Sequence, residues 1–181
     1  MLRQIPNAIT LVRILLVAPL GWSIVAHRYD LALLLAAIAS ASDALDGFLA
    51  RQFHWQSRLG AWLDPAADKL LLTVAYVCLS SSGVVRWWLK LLVLGRDVVI
   101  VAGVLTIQWL RGPVTVAPSL LSKANTLVQI GYLLIVLVAV HGTLVFLPRP
   151  MLWLVALMTV LSGLDYVVRY ALRARHNGKL A

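Results

Sequence analysis

Four aspartates lie close together in a chain that is otherwise strongly apolar: Asp43, Asp46, Asp64 and Asp68. The chain has 181 residues and only seven acidic side chains, so more than half of its carboxylates fall in this one window. Clustered carboxylates repel one another in a medium of low dielectric constant and are costly within a membrane unless they are paired. Carboxylate oxygens are also the ligands that Mg²⁺, Mn²⁺ and Ca²⁺ prefer. The cluster therefore predicts a divalent-metal site.

The spacing of these residues places them on the faces of two helices. One face of the first helix carries residues at intervals of three and four: Asp43, Asp46, Gly47 and Ala50. One face of the second helix carries residues at intervals of four: Gly60, Asp64 and Asp68. Two antiparallel helices with facing stripes would bring the four carboxylates together, near the lipid headgroups. The small residues would let a ligand approach the backbone, although small residues also serve ordinary helix packing.

The elements that must position this cluster are membrane helices. The chain is 61% hydrophobic and has a mean hydropathy of +0.89, which is more apolar than soluble domains. Six apolar segments approach the length that crosses a bilayer: 5–26, 31–53, 59–80, 87–110, 122–140 and 151–172. We expect an all-α, polytopic membrane protein with six transmembrane helices and a single domain over residues 1–181.

Basic residues outnumber acidic ones, with sixteen Lys and Arg against seven acids and a net charge of +9. The bases cluster at the ends of the apolar segments, which is typical of the positive-inside pattern and of attraction to anionic lipid rather than of nucleic-acid binding. The richer side carries eight of them: Arg3, Arg51, Arg58, Arg111, Lys123, Arg173, Arg175 and Lys179. This side is predicted to be cytoplasmic, with both termini and the loop between helices two and three.

A second set of polar residues lies in the later segments. Arg96 lies well inside the fourth segment beside Asp97, and an arginine within a membrane segment is a functional candidate by default. The alternative is a local ion pair between these two residues. Lys123 and Asn125 lie near the start of the fifth segment, and Arg111 follows the fourth. These bases suit a phosphate group, although Lys123 also fits ordinary anchoring at the membrane surface.

Four further polar residues have structural or open roles. Ser122 is predicted to be the N-cap of the fifth helix. Asp165 and Arg169 are four residues apart, which predicts an ion pair along the sixth helix. Arg13 lies inside the first apolar segment, where it would either reach lipid headgroups or contact a phosphate.

The aspartate window follows the pattern D-x2-D-G-x2-A-R-x8-G-x3-D-x3-D, with every position filled. This pattern resembles the signature of the CDP-alcohol phosphatidyltransferase family. The stretch IPNAITLVRILLVAPL near the N-terminus and the six-helix layout are similar to that family as well. The resemblance therefore covers most of the chain.

The resemblance implies an enzyme that transfers a phosphate-linked group from a CDP-linked donor to an alcohol and releases CMP. It implies an active site at the cytoplasmic ends of helices two and three, with two divalent cations per subunit, Mg²⁺ or Mn²⁺. Their ligands would be Asp43, Asp46, Asp64 and Asp68, and Asp68 would also be the general base. The residues that line the cytidine-diphosphate pocket would be Asp46, Gly47, Ala50, Arg51 and Gly60.

The acceptor alcohol is indicated by two short stretches. SKANTLVQ and GRDV resemble the cardiolipin synthases of this family, which use phosphatidylglycerol. The phosphatidylglycerophosphate synthases look similar but usually carry a lysine where Asn125 stands. We therefore expect transfer from CDP-diacylglycerol to phosphatidylglycerol, with glycerol 3-phosphate as the alternative acceptor. The candidate acceptor-binding residues are Arg96, Arg111, Lys123 and Asn125.

Other interpretations compete with this one. A cation transporter could use the same carboxylates, but its ion site would usually lie near the bilayer midplane between broken helices. An inactive scaffold is disfavoured because every motif position is filled. The resemblance also implies a homodimer, and we expect the bacterial inner (plasma) membrane as the location.

Overall fold

The computed structural model describes residues 5–52, 60–111, 119–142 and 149–177, and these parts of the chain are helices joined by short turns. Six helices occur in these ranges: α1 Ile5–Val25, α2 Tyr29–Gln52, α3 Gly60–Ser81, α4 Trp87–Arg111, α5 Leu120–Val140 and α6 Arg149–Asn177. Each predicted segment corresponds to one helix. The largest difference lies at the end of α6, which continues five residues beyond the apolar segment into a basic stretch.

Two of the described helical ranges are long and apolar enough to cross a membrane. They are Leu120–Val140 and Arg149–Arg169, with mean hydropathies of 1.7 and 1.9. A shorter apolar range, Ile9–Val25, lies in α1. The apolar helices indicate a membrane protein, whereas six membrane crossings stay a prediction.

The third predicted segment ends at residue 80, and α3 ends one residue later at Ser81, shortly before a glycine. Gly83 adopts a left-handed backbone conformation with φ of 75°, which a residue with a side chain rarely adopts. The N–H of Val84 then donates to the carbonyl of Leu79 at 3.0 Å, and that of Gly83 to Ser80 at 3.2 Å. This pair of hydrogen bonds satisfies carbonyls that the end of α3 leaves without helical partners.

The chain forms two compact units. The first comprises Met1–Arg86 and Leu133–Leu147, and the second comprises Trp87–Tyr132 and Pro148–Ala181. Within the first unit, α1 packs on both α2 and α3. Within the second unit, α4 packs on α6. Each unit holds one of the two groups of polar residues that the sequence singled out.

Candidate active site

One face of α1 forms the centre of the first unit. Its buried residues recur at intervals of three and four: Thr10, Arg13, Val17, Leu20 and Ile24. Such a stripe is what a helix needs in order to pack on its neighbours. Arg13 is only 1% exposed, so its charge lies among apolar side chains. A buried guanidinium requires acceptors, because an unpaired charge there is very costly.

The faces that α2 and α3 turn towards α1 end in aspartates. On α2, three buried alanines are spaced at intervals of four and three: Ala32, Ala36 and Ala39. Asp43 follows Ala39 by one helical turn. Alanine side chains are small and permit close approach of two helices. On α3, Leu72, Ala75 and Leu79 are buried and Asp68 precedes them by one turn. Both aspartates therefore continue faces that pack within this unit.

Arg13 joins the two aspartates. Its Nη1 atom lies 2.6 Å from Oδ1 of Asp68 and 2.9 Å from Oδ1 of Asp43. The two carboxylates are partly exposed, at 29% for Asp68 and 41% for Asp43. Three helices thus bring two acidic groups and one basic group to one point, and the carboxylates remain accessible from outside.

This arrangement supplies part of the oxygen ligand set that a divalent cation requires. Two carboxylate oxygens from different helices already converge on one positive centre, the Arg13 guanidinium. Hard oxygen donors of this kind suit Mg²⁺ and Mn²⁺. Among the residues with described side chains, no group of three His, Cys, Asp or Glu side chains occurs. Asp46 and Asp64 lie outside that set, so the predicted four-aspartate cluster is described only in half.

The remaining predicted residues of the aspartate window also have side chains outside the described set. Asp46, Gly47, Ala50 and Arg51 fall within α2, and Gly60 and Asp64 fall within α3. Their roles as metal ligands or as the cytidine-diphosphate pocket stay predictions. What the structure adds is the position of Asp43 and Asp68 relative to each other.

Arg13 is the residue whose role the sequence left open. Sequence reasoning offered headgroups or phosphate as its partner, and the structure places two aspartates against it. The available signal was its position three residues after Thr10 and four before Val17, on the stripe that is buried. A charge on the packing face of a helix predicts an internal partner rather than a lipid one.

The second unit contains a buried arginine with several acceptors. Arg96 is 9% exposed, and its Nη1 donates to Oδ1 of Asp97 at 2.7 Å. The local ion pair, which the sequence left as the alternative to a functional role, is therefore present. Nη2 donates to the hydroxyls of Ser122 on α5 and Ser162 on α6. The buried Nε atom has no hydrogen-bond partner among the described residues. Arg96 thus connects three helices and retains an unused donor.

A chain of uncharged polar groups lies between α5 and α6 in the same unit. Thr159 donates to Oδ1 of Asn125 at 3.1 Å and accepts from Nε2 of Gln129 at 3.2 Å. All three residues are buried, and Asn125 is 0% exposed. The Nδ2 atom of Asn125 has no partner among the described residues. Asn125, a predicted acceptor-binding residue, is therefore also a helix-packing residue.

A groove of about 270 Å³ lies between α4 and α6 beside this cluster. Most of its lining is apolar, and among the described residues Arg96 is the only charged one that lines it. Six residues form most of the wall: Leu92, Arg96, Val99, Thr159, Gly163 and Leu164. Gly163 packs beside Arg96, where a Cβ atom would lie 3.7 Å from Cγ of Arg96, an ordinary contact. The groove suits an apolar chain whose polar end lies near Arg96.

The other predicted residues of the second unit have mixed outcomes. Lys123 is exposed, and the side chain of Arg111 lies outside the described set. The predicted ion pair on α6 is confirmed, with Nε of Arg169 2.6 Å from Oδ1 of Asp165. The predicted N-cap of α5 is wrong, because the hydroxyl of Ser119 accepts the N–H of Ser122 at 3.1 Å. Ser119 is thus the cap, and Ser122 lies three residues inside.

The chain matches the model of a family of CDP-alcohol phosphatidyltransferases over residues 3–164. The match covers most of the sequence and runs through both compact units. The chain therefore belongs to the CDP-alcohol phosphatidyltransferase family.

Named relatives fall into two groups within the family. The human CMP-forming cardiolipin synthase is 35% identical over 142 residues, which is 70% of this chain and 47% of the human protein. A probable cardiolipin synthase of Drosophila melanogaster is 32% identical over 193 residues, 96% of this chain and 58% of that protein. A probable phosphatidylglycerophosphate synthase of Mycobacterium tuberculosis (strain CDC 1551 / Oshkosh) is 34% identical over 133 residues, which is 74% of this chain and 62% of that protein. The chain spans about half the length of the first of these relatives and somewhat more of the others.

Proposed function

We propose that this protein transfers a phosphatidyl group from CDP-diacylglycerol to a glycerol-type hydroxyl and releases CMP. The observation that carries the proposal is the convergence of Asp43 and Asp68 from two helices on one positive centre. These are the first and last aspartates of the family signature, and they lie in a chain that belongs to the family. A site at the ends of membrane helices would let the lipid tails of the substrate stay in the bilayer.

The four signature aspartates would hold two divalent cations, Mg²⁺ or Mn²⁺, with Asp43, Asp46 and Asp64 shared and Asp68 completing the second site. When bound, the cations neutralise negative charge on the oxygens of the donor pyrophosphate. Arg51 would add a positive charge on the same substrate. Asp46, Gly47, Ala50 and Gly60 would line the cytidine-diphosphate pocket.

Asp68 is the proposed general base. Its carboxylate takes the proton of the acceptor hydroxyl while that oxygen forms a bond to the phosphorus of the phosphatidyl group. The bond from this phosphorus to the oxygen of CMP breaks, and CMP leaves with the electron pair. A neutral alcohol is a weak nucleophile, so a positioned carboxylate is useful here. Its partial exposure supports this role, because the carboxylate remains accessible from outside.

The acceptor phosphate would bind through the basic residues of the second unit, with Arg96 as the principal one and Arg111, Lys123 and Asn125 beside it. Arg96 contacts two hydroxyls that phosphate oxygens could replace, and its Nε donor is unused among the described residues. The apolar groove at its side supports an acceptor with acyl chains. We therefore favour phosphatidylglycerol as the acceptor and cardiolipin as the product.

Glycerol 3-phosphate is the second candidate acceptor, and the observation that favours it is the relative of similar identity named as a phosphatidylglycerophosphate synthase. The proposed setting is an integral protein of the bacterial inner (plasma) membrane, with six crossings and both termini in the cytoplasm. Assembly as a homodimer is part of the same proposal and is supported only by the resemblance to the family.

The test uses purified protein in lipid nanodiscs with Mg²⁺ or Mn²⁺ and CDP-diacylglycerol. One arm receives phosphatidylglycerol and the other glycerol 3-phosphate, and both CMP and lipid products are followed. Cardiolipin in the first arm is the expected result. Phosphatidylglycerophosphate in the second arm alone would assign the other acceptor. The absence of CMP with every glycerol acceptor would contradict the proposed reaction.

A further inference from the structure

We propose that Arg13 is the resident cation of the aspartate site, and that a divalent metal ion binds there by displacing Arg13 from Asp43 and Asp68. This inference depends on the proposed function, because it takes these two carboxylates as metal ligands. It concerns a residue of α1, which lies outside the aspartate signature of α2 and α3.

The geometry is the first reason. A single nitrogen, Nη1 of Arg13, contacts Oδ1 of Asp68 at 2.6 Å and Oδ1 of Asp43 at 2.9 Å. Each contact engages an oxygen that a metal ion would use as a ligand at roughly 2.0–2.6 Å. A metal ion on these oxygens and a guanidinium at its present distance would place two positive centres next to each other. The two cations therefore compete for the same oxygens.

The charge balance is the second reason. Two neighbouring carboxylates repel each other, so some cation must hold them together in the metal-free protein. The single charge of Arg13 offsets half of their combined charge, whereas a divalent ion offsets all of it. Exchange of one cation for the other therefore improves the charge balance when the metal is abundant, although the buried guanidinium loses these two acceptors. The displaced guanidinium keeps its donors for another oxygen acceptor, such as a phosphate.

The location of Arg13 is the third reason. It is 1% exposed and belongs to the stripe of α1 that packs on both neighbouring helices. Asp43 and Asp68 belong to different helices, and both bond to the same atom of α1. Arg13 thus neutralises part of the charge of both carboxylates before a metal ion arrives. This makes it a competitor of the metal ion and not a catalytic residue.

The test measures Mn²⁺ binding directly, without turnover, from the loss of the free-ion electron paramagnetic resonance signal. The protein is held in nanodiscs of zwitterionic lipid, and Arg13→Met is compared with wild type. Removal of the competing charge should tighten Mn²⁺ binding by roughly tenfold to a hundredfold, the equivalent of one charge-assisted hydrogen bond. Arg13→Lys should stay near wild type, because an ammonium group also offers one nitrogen to two carboxylates.

The matched control is Arg169→Met, which removes an Arg–Asp contact of the same 2.6 Å length from α6 and should leave Mn²⁺ affinity unchanged. Equal or weaker Mn²⁺ binding by Arg13→Met would overturn the proposal while the metal site itself stands. No Mn²⁺ binding by the wild-type protein would instead contradict the proposed metal site, and the role of Arg13 with it.

A second measurement needs no variant and therefore does not depend on the folding of Arg13→Met. Solid-state nuclear magnetic resonance of wild-type protein, labelled with ¹⁵N in arginine and ¹³C in aspartate carboxylates, detects guanidinium–carboxylate proximity. The contacts of Arg13 with Asp43 and Asp68 should disappear when Mg²⁺ saturates the site. The contact between Arg169 and Asp165 should persist and serves as the internal reference. Survival of the Arg13 contacts at saturation would overturn the displacement.

Discussion

Replacement of Gly21 with alanine perturbs the close packing of α1 on α3 that brings Arg13 to Asp68. Gly21 is buried, and a Cβ atom at this position would lie 2.9 Å from Cγ1 of Val74 and 3.5 Å from Sγ of Cys78. The first distance is too short for two carbon atoms in contact. Valine is branched at Cβ and has few alternative rotamers in a helix, so its methyl group cannot easily move away.

The expected effect is the difference between two opposing contributions. Overpacking of this kind costs about 1–3 kcal/mol, and alanine in place of glycine returns about 1 kcal/mol of helix propensity. The net destabilisation is therefore as much as about 2 kcal/mol. For a chain of this length, that lowers Tm by up to roughly 8 °C.

The measurement is thermal unfolding in nanodiscs, followed by tryptophan fluorescence. Gly131→Ala is the matched control, because its Cβ would meet Cε of Met151 at 3.6 Å, an ordinary contact. Gly21→Ala should have a lower Tm than Gly131→Ala. In the double variant Gly21→Ala/Val74→Ala, the loss should be smaller than the sum of the two single losses. A Tm of Gly21→Ala at or above that of the control would refute the packing argument.

Four other substitutions test the second unit. Thr159→Val keeps the shape of the side chain but leaves the buried Oδ1 of Asn125 without its donor, so unfolding in denaturant should show a loss of about 1–3 kcal/mol. Ser119→Ala removes the hydroxyl that caps α5, and the same assay should show a loss of about 0.5–2 kcal/mol. Arg96→Gln should raise the KM for the acceptor by tenfold or more, the equivalent of about 1.5–3 kcal/mol, without changing the KM for CDP-diacylglycerol. Lys123→Gln should have a much smaller effect on that KM, because Lys123 is exposed and its charge is screened.

The number and approximate ends of the helices could be predicted because they depend on local sequence. Apolar runs of sufficient length define the segments, and the turn residues between them end each run. The end of α3 illustrates this, since the third predicted segment ends at residue 80, shortly before the left-handed backbone of Gly83. The ion pair of Asp165 and Arg169 was predictable for the same reason, as four-residue spacing along one helix is enough to bring the groups together.

Contacts between helices could be predicted only in part. The pairing of Arg13 with Asp68 joins residues 55 positions apart, and it depends on which face of α1 packs inward. The sequence predicted that the aspartates lie on two facing stripes of α2 and α3. It did not predict that α1 packs on both of these helices. The predicted N-cap of α5 was three residues too late, because two serines, Ser119 and Ser122, lie near the start of this helix. Only the hydrogen bond from the N–H of Ser122 to the hydroxyl of Ser119 distinguishes them.

The most direct test of the account compares CMP release by Asp68→Asn and Asp165→Asn in nanodiscs with saturating Mn²⁺, CDP-diacylglycerol and phosphatidylglycerol. A general base contributes roughly a hundredfold to ten-thousandfold to a rate, so Asp68→Asn should lose at least about that lower factor. Asp165→Asn makes the same substitution in the ion pair between Asp165 and Arg169 on α6. This variant should retain the wild-type rate. A wild-type rate in Asp68→Asn, or an equal loss in both variants, would contradict the assignment of the aspartate site as the centre of the reaction.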